Sequence, residues 1–335
     1  MEKTLIMNDV KYKLVEHLTL GSVKDDFVAI EGETITAFNG IGIAEFIEYN
    51  YEYLTSPEGV DAEKLAEINS VDVLELQDFL SGLEENGILY EIPNLQNEIP
   101  PIVFQTYQRG RRQVSIQEIM KQFESTTVHL HSNTKNPLSD SIINSLKDVG
   151  VNVSDKEQIT LENPPEFRIV VASSLIDPIL DSANLQSLED KVPWISVLPF
   201  DGRNAWVGPF VIPNKSACIT CFKLRRSANF ADDVFRSELL KLTPLEKVNK
   251  PIYHSPINLI QSGLVTNIIS EWIGLGKMSP SSIPGGFKTI SLDNRGISMD
   301  SHRVLRVPRC PDCSPAAGTG YPQVWFHGEK KGSEK

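Results

Sequence analysis

The sequence contains little that would direct it to a membrane or out of the cell. Residues Met1–Val10 do not combine a cationic flank with an apolar run, as a secretory signal peptide does. The longest apolar stretch, Leu259–Gly276, is interrupted by Gln261, Asn267 and Glu271. It therefore predicts a buried core helix rather than a membrane span. We expect a cytoplasmic protein with no membrane partner.

Glycine is missing where a nucleotide-binding α/β domain needs it. The strand predicted over Thr126–His131 runs into the turn Ser132–Ser139, which contains no glycine and includes Pro137, a residue without an N–H donor. In nucleotide-binding folds, backbone N–H groups of this turn contact phosphate. Lys135 could contact a phosphate, but a single loop lysine is more typical of a solvated surface. We expect no ATP on this chain. Metalloprotease, hydrolase-elbow and phosphate-loop motifs are also missing, and no catalytic residue is assigned.

Positive charge is scarce in the first quarter of the chain. Residues 1–95 contain 20 Asp or Glu and 5 Lys or Arg, a net charge of −15. The whole chain has a net charge of −12, so the remainder is close to neutral at +3. An acidic domain repels a phosphate backbone, which argues against a nucleic-acid partner. The abrupt change in charge indicates a domain boundary.

Cysteine is rare, but its spacing is informative. The four cysteines form two C-x-x-C pairs, Cys218 with Cys221 and Cys310 with Cys313. Two such pairs can complete a tetrahedral four-thiolate site, whose softness favours Zn²⁺ and whose closed shell indicates a structural role. A redox dithiol is the alternative, but it would leave one pair unexplained.

The first part of the chain, residues 1–93, predicts a small winged-helix-like α+β module. Strands are expected at Phe27–Ile30 and Thr34–Phe38, and helices at Ile41–Leu54, from Asp61, and after a Ser70 cap. Prolines at 93, 100 and 101 then indicate a linker and connecting segment over residues 94–125.

Residues 126–326 predict an open, mostly parallel α/β sheet, because short apolar strands alternate with helical segments. Predicted strands lie at Thr126–His131, Val151–Ser154, Ile169–Ser173, Trp194–Leu198, Phe287–Leu292 and Val304–Val307, and helices at Ser139–Val149, Asp181–Leu188, Asp232–Leu240 and Ile257–Gly274. Residues 327–335 are expected to form a frayed tail.

Three groups of residues have weaker interpretations. His129 and His131 alternate on a predicted strand, so they form either a metal pair or an ordinary packed pair. The basic run Arg109–Arg112 and the group Lys223, Arg225 and Arg226 are each either a docking strip for an acidic partner or a solvated surface.

A resemblance to a known family rests on the run from Val192-Pro-Trp-Ile through Val207-Gly-Pro-Phe-Val-Ile-Pro to Ala217-Cys-Ile-Thr-Cys-Phe-Lys-Leu-Arg-Arg226, with Cys310-Pro-Asp-Cys313 downstream. These residues resemble the ThiF-like partner proteins of azoline-forming YcaO cyclodehydratases. That family belongs to the ubiquitin-activating-enzyme superfamily and acts in the biosynthesis of thiazole- and oxazole-modified peptides such as bacteriocins and thiopeptides. The segment Gly40–Phe46 and the helix Val71–Asn86 resemble the PqqD-like leader-recognition element of the same proteins.

The resemblance implies a Rossmann-like ThiF-type sheet preceded by the winged-helix-like element. It also implies a non-catalytic subunit that binds the leader of a ribosomally made precursor peptide and activates a separate YcaO enzyme. Structural zinc on the four cysteines is part of the same expectation, and a homodimer is compatible with it. An active ThiF-type adenylating enzyme and a winged-helix regulator remain alternatives.

The leader is expected to add to the strand Thr34–Phe38, whose position near the module's edge leaves backbone groups for β-augmentation. The residues predicted to contact it are Thr34, Ile35 and Thr36 on that strand and Leu76 and Leu80 on the third helix. For the two leucines, a place in the core is the alternative, given the width of an ordinary apolar stripe.

Overall fold

The computed structural model describes residues 10–15, 18–23, 26–31, 33–39, 41–93, 99–110, 113–154, 166–229 and 252–314. The chain divides into two compact units, Met1–Pro100 and Pro101–Lys335. The helix predicted over Asp232–Leu240 and the tail 327–335 lie outside the described residues. No helix within the described ranges is long and apolar enough to span a bilayer.

The first unit combines two small sheets with three helices. Its elements in chain order are β1 (Val10–Leu14), β2 (Thr19–Val23), β3 (Asp26–Glu31), β4 (Thr34–Asn39), α1 (Ile41–Leu54), β5 (Val60–Asp61), α2 (Ala62–Asn69), α3 (Val73–Glu85) and β6 (Leu89–Pro93). β2, β3 and β4 form an antiparallel sheet in that order, and β1 pairs with β5 on one side and β6 on the other. Apolar side chains of the sheets and helices share one core.

Helix boundaries in this unit follow side-chain caps. Asp61 begins α2 as predicted, because its carboxylate accepts the backbone N–H of Lys64 at 2.7 Å. Ser70 does not begin α3. It ends α2 in the left-handed conformation with φ of 52°, and the cap of α3 is Asp72, which accepts from the N–H of Leu74 at 2.9 Å. A carboxylate two residues closer to the helix outcompetes the serine as the N-cap.

The second unit is built on a seven-stranded sheet with the order β13-β12-β11-β10-β9-β7-β8. Its elements are α4 (Pro101–Arg109), α5 (Ile116–Ser125), β7 (Thr127–Ser132), α6 (Pro137–Asp148), β8 (Asn152–Ser154), β9 (Phe167–Val171), α7 (Pro178–Asp190), β10 (Trp194–Leu198), β11 (Asn204–Val211), α8 (Ile219–Ala228), α9 (Ser255–Leu275), β12 (Gly286–Asp293) and β13 (Gly296–Arg303). Residues 101–109 and 116–125, expected as part of a connecting segment, thus form two helices.

The sheet is mixed rather than mostly parallel, which corrects the expectation. β8, β7, β9 and β10 are parallel, but β10 to β13 are joined by antiparallel pairing. β11 was not predicted, and the strand predicted at Val304–Val307 is replaced by β13, which forms a tight hairpin with β12. Arg295 in the turn donates its N–H to the Asp293 carboxylate at 2.8 Å, and Gly296 takes a φ of 114°.

Helices cover both faces of the parallel half of this sheet. α9 packs against α4, α5 and α6, while α7 packs against α8. Every residue of β9 and β10 is buried, as expected for strands with helices on both sides. The core shared by α7 and α8 contains the four cysteines.

Candidate metal centre and strand-end crevice

The four cysteines meet in one buried cluster. Cys218 precedes α8 and Cys221 lies in its first turn, while Cys310 and Cys313 lie on the turns that follow β13. Their sulfur atoms all lie within 4.8 Å of one another. The Sγ–Sγ distances are 3.8 Å for Cys218–Cys221, 3.6 Å for Cys218–Cys310 and 3.5 Å for Cys221–Cys313. A tetrahedral ion with Zn–S bonds of about 2.3 Å requires S–S edges of about 3.8 Å. The cluster can therefore hold a metal ion, and its size is compatible with zinc.

The electrostatics of the cluster fit a cation. Burial raises the pKa of the Cys218 and Cys313 thiols. Burial acts in the same direction on Cys221, but hydrogen bonds outweigh it and lower that pKa, with the backbone N–H of Val307 donating to Sγ at 3.3 Å. Four buried thiolates repel one another unless a cation lies among them. A bound dication removes this penalty, because metal coordination deprotonates a thiol.

Polar residues between the cysteines join the two pairs. Asp312, inside the second pair, accepts hydrogen bonds at one carboxylate oxygen from Asn184 Nδ2 at 2.8 Å and from the hydroxyl of Thr220, inside the first pair. Asn184 is fully buried on α7, and its Oδ1 accepts the N–H of Ile219. Side chains of this kind hold metal ligands in position. The sequence analysis missed them, because only the fold brings Asn184 close to residue 312.

Two basic residues after the first cysteine pair bind neighbouring segments of the second unit. Arg225 donates from Nε to the carbonyl of Leu305 at 2.6 Å and from Nη2 to that of Arg306 at 3.0 Å. Lys223 forms a 2.6 Å ion pair with Asp181 of α7. Arg225 therefore holds the segment that leads from β13 to the second cysteine pair, which is a structural role.

A small cleft of about 110 Å³ opens beyond the carboxyl ends of β9 and β10. Open α/β sheets bind ligands at this edge. The guanidinium of Arg226 lies 4.1 Å from the centre of the Trp206 ring, and both residues line the cleft. The other lining residues are Ser173, Ser174, Leu175, Ile176, Leu198, Pro199, Phe200 and Asp201.

The turn between β7 and α6 is closed by its own side chains. Asn136 caps α6, accepting the N–H of Ser139 at 2.9 Å. Its Nδ2 donates to Ser132 Oγ and to the carbonyl of Thr134, both at 2.9 Å. A helix N–H that contacts phosphate in nucleotide-binding folds is engaged here by an asparagine.

A buried carboxylate ties this turn to the next one along the sheet. Asp177, only 4% exposed, caps α7 by accepting the N–H of Ile179 at 3.1 Å. It also accepts from Asn133 Nδ2 at 2.8 Å and from both the N–H and the hydroxyl of Ser173, at 2.9 and 2.7 Å. Burial, together with the negative charge of Asp177, raises the pKa of Tyr253. The Asp177 carboxylate thus accepts hydrogen bonds from both the β7–α6 turn and the β9–α7 turn.

The two strand histidines pack beside a buried arginine. Burial, followed by the charge of Arg168, lowers the pKa of His131 to about 4 and also lowers that of His129. Arg168 is fully buried and forms an ion pair with Asp190. Among the described residues, the four cysteines are the one group of three or more His, Cys, Asp or Glu side chains placed to share an ion. The neighbouring cation disfavours a metal at the histidine pair.

Arg109, the first residue of the basic run, also has a structural partner. Its Nε donates to the Glu271 carboxylate at 2.9 Å, and Glu271 is only 2% exposed. Arg111 and Arg112 lie outside the described residues.

The predicted leader strand is an edge strand. In the described part of the first unit, β4 pairs with β3 alone, and its other edge carries no partner strand. Ile35 is 68% exposed and Thr36 is also exposed. The backbone of Thr34 lies in β4, but its side chain is outside the described residues. These positions leave backbone groups accessible for strand addition.

The two leucines assigned to a peptide groove lie in the core instead. Leu76 is 5% exposed and Leu80 is fully buried. Together with Leu83 they form an i, i+4, i+7 stripe that faces the core of the first unit. The exposed leucine of α3 is Leu74, at 64%. The assignment of Leu76 and Leu80 to a groove is therefore wrong.

Comparison with known proteins shows similarity of fold at low sequence identity. No family model and no curated protein matches the sequence. The solved structure of the heterocyclase TruD aligns with a TM-score of 0.70 and 17% identity, covering 91% of this chain and 43% of TruD. A heterocyclase in complex with substrate and cofactor gives a TM-score of 0.72 and 17% identity, with 92% and 40% covered. E. coli MccB gives 0.57 and 15%, with 93% and 99% covered.

These alignments establish an α/β fold shared with TruD and MccB. The chain spans less than half of each heterocyclase chain and nearly the full length of MccB.

Proposed function

We propose that this chain is a non-catalytic subunit of a peptide heterocyclase. In this proposal it binds the leader of a ribosomally made precursor and presents it to a YcaO-type cyclodehydratase. The partner uses ATP to form thiazoline or oxazoline rings from Cys, Ser or Thr. The observation that carries the proposal is the alignment over 91% of this chain with only 43% of a heterocyclase. In this proposal, a second protein supplies the remaining heterocyclase machinery.

The metal in this proposal is zinc, held by Cys218, Cys221, Cys310 and Cys313. With four thiolates and no open position, the ion supplies structural cross-linking rather than chemistry. The chain's own residues position it, since Asn184 and Asp312 orient the two ligand loops. The result is a rigid second unit in which the C-terminal segment is fastened to α8.

The leader binds in this proposal as an added strand on β4. The backbone of β4 supplies hydrogen bonds, and exposed side chains such as Ile35 supply contacts for alternate leader residues. An acidic first unit favours basic or apolar leader residues over acidic ones.

Leader binding is testable by fluorescence polarisation with a labelled leader from the same gene cluster. We expect Ile35→Asp to weaken binding about tenfold or more, because it places a charge on the added strand's contact face. Val23→Asp is the matched control, since Val23 is 59% exposed on β2, the opposite edge of the same sheet. Equal affinity for the leader in a chain that starts at Pro101 would show that recognition lies elsewhere.

An adenylating enzyme of the ThiF type is the second candidate. The alignment with 99% of MccB favours it. Two features argue against it. The turn between β7 and α6 contains no glycine, and the backbone N–H of Ser139 already donates to Asn136. A winged-helix regulator is disfavoured by the acidity of the first 95 residues.

A further inference from the structure

Helix α1 presents a surface stripe that neither the metal centre nor the leader strand accounts for. One side of the helix packs into the core through Ile47 and Leu54, with Ile43 partly buried. The opposite side carries residues spaced three and four apart, which therefore share one face. This α1 stripe consists of Glu45, Glu48, Tyr49, Glu52 and Tyr53, and all five residues are exposed.

The tyrosines of the α1 stripe expose large aromatic surfaces. Tyr49 is 67% exposed and Tyr53 is 38% exposed, one helical turn apart. Tyrosine is enriched at protein interfaces, where it often contributes much of the binding energy. Among the described residues, neither ring belongs to the apolar core of the first unit.

The carboxylates of the stripe are placed at a cost to the helix. Glu48 and Glu52 are four residues apart, and like charges at this spacing destabilise a helix. Glu52 also lies in the last turn, where the helix dipole disfavours negative charge. α1 contains no Lys or Arg, and no ion pair found among the described residues involves these carboxylates. The charge of the stripe is therefore left for an external cation to balance.

A lysine of this chain already contacts the α1 stripe. Lys64, on the neighbouring helix α2, holds its Nζ 5.2 Å from the centre of the Tyr53 ring. Cation–π contact of this kind suits lysine and arginine, and a nearby carboxylate attracts the same cation. The rings and carboxylates together favour a segment whose positive charges are carried at the ends of long, largely apolar side chains.

We propose that the α1 stripe docks an arginine- or lysine-bearing segment of a partner protein. The choice of a partner protein rests on the proposed function, because the leader is assigned there to β4 and this chain matches only 43% of TruD. Charge complementarity selects a basic segment, and the tyrosines give it specificity beyond charge.

The first measurement uses the full chain and a labelled synthetic peptide with arginines one helical turn apart. We expect Tyr49→Ser with Tyr53→Ser to weaken binding about tenfold, and Tyr51→Ser, on the same helix outside the stripe, to have no effect. Glu45→Gln, Glu48→Gln and Glu52→Gln together should weaken it further. The matched control removes three exposed charges elsewhere, by Glu58→Gln, Glu67→Gln and Asp78→Asn. Equal loss in both charge triples, or no loss with the tyrosine pair, would overturn the proposal.

The second measurement separates this proposal from the proposed function. It compares binding of the YcaO-type protein encoded beside the chain, and of the leader, to the same variants. Loss of enzyme binding with unchanged leader binding supports both ideas. Loss of peptide binding without any YcaO binding supports the stripe and overturns the proposed partner. Displacement of the arginine peptide by unlabelled leader would assign the stripe to the leader and overturn a separate docking surface.

Discussion

The metal centre and the strand-end crevice of the second unit differ in how their polar groups are satisfied. At the centre, four buried sulfur atoms lie within 4.8 Å of one another, a geometry that can hold a metal ion. At the crevice, Asn136 and Asp177 already occupy the donors of both turns. Soft ligands that converge on one point indicate a binding site, whereas polar groups that satisfy one another indicate a structural role. The comparison predicts that a perturbation of the metal centre changes both zinc content and stability, whereas a perturbation of the crevice changes stability alone.

The largest expected effect is at the metal centre. Cys310→Ser should abolish stoichiometric zinc and lower the free energy of unfolding by about 4 kcal/mol or more, because metal-binding energy is also folding energy. Elemental analysis and thermal unfolding with and without a chelator measure both effects. The chelator should destabilise the wild type but not the variant. Purified wild-type protein without zinc and with four titratable thiols contradicts the prediction.

A smaller loss is expected at the crevice. Asp177→Ala removes one carboxylate from Asn133, Ser173 and Ile179, and should lower the unfolding free energy by about 3 kcal/mol, because buried donors lose their acceptor. Urea denaturation measures the change, and zinc content should stay at the wild-type level. Asp181→Ala, an exposed residue of the same helix, is the control and should change stability by about 0.5 kcal/mol or less. Equal effects of the two substitutions would argue against a structural role for Asp177.

Substitution of Asn184, which hydrogen-bonds to Asp312 between the second pair of ligands, should affect zinc affinity more than the free energy of unfolding. Asn184→Leu keeps the volume but removes the hydrogen bond to Asp312, so zinc affinity should fall about 10-fold to 100-fold. Competition with a chromophoric chelator gives the affinity. Leu185→Ala, at an exposed neighbouring position, should leave it unchanged. An unaltered affinity in Asn184→Leu would mean that Asp312 does not position the ligands.

No measurable effect is expected from ATP on this chain alone. The Asn136 cap and the Asp177 carboxylate already accept the backbone N–H groups of Ser139, Ser173 and Ile179, so these backbone donors are not available to phosphate. Calorimetry with ATP and magnesium should show no binding, and pyrophosphate exchange should be undetectable without a partner. Micromolar affinity for ATP would show that the crevice is a binding site as well as the metal centre, and it would favour the adenylating alternative.

The sequence predicts those features that depend on local pattern. Cys218 and Cys221, one helical turn apart, were readable as a ligand pair, and α1 was predicted with its observed boundaries. β11 was missed because Gly208-Pro209 resembles a strand break. In the fold, Gly208 has a φ of 110°, and a Cβ there would lie 2.7 Å from the carbonyl of Gly286 on β12. That glycine permits close strand approach, which only the pairing with β12 reveals.

Features that depend on tertiary contact could not be predicted. The hydrogen bond between Asn184 and Asp312 spans 128 positions, so no local spacing indicates it. Leu76 and Leu80 belong to an apolar stripe wider than one face, and the neighbours that bury them decide their role. The turn between β7 and α6 is glycine-free, as the sequence shows. Its hydrogen bond to Asp177 could not be predicted, because Asp177 belongs to the adjacent β9–α7 turn.

The order of the cysteines along the chain has a consequence for synthesis. Cys218 and Cys221 leave the ribosome long before Cys310 and Cys313, so the nascent chain holds only half of the ligands while β12 and β13 are made. Ions held by two thiolates exchange readily, and the closed site forms only after residue 313 emerges. Retention of the ion therefore separates completed chains from prematurely terminated ones. Any chain that stops before Cys310 leaves its first cysteine pair without the other two ligands of the site.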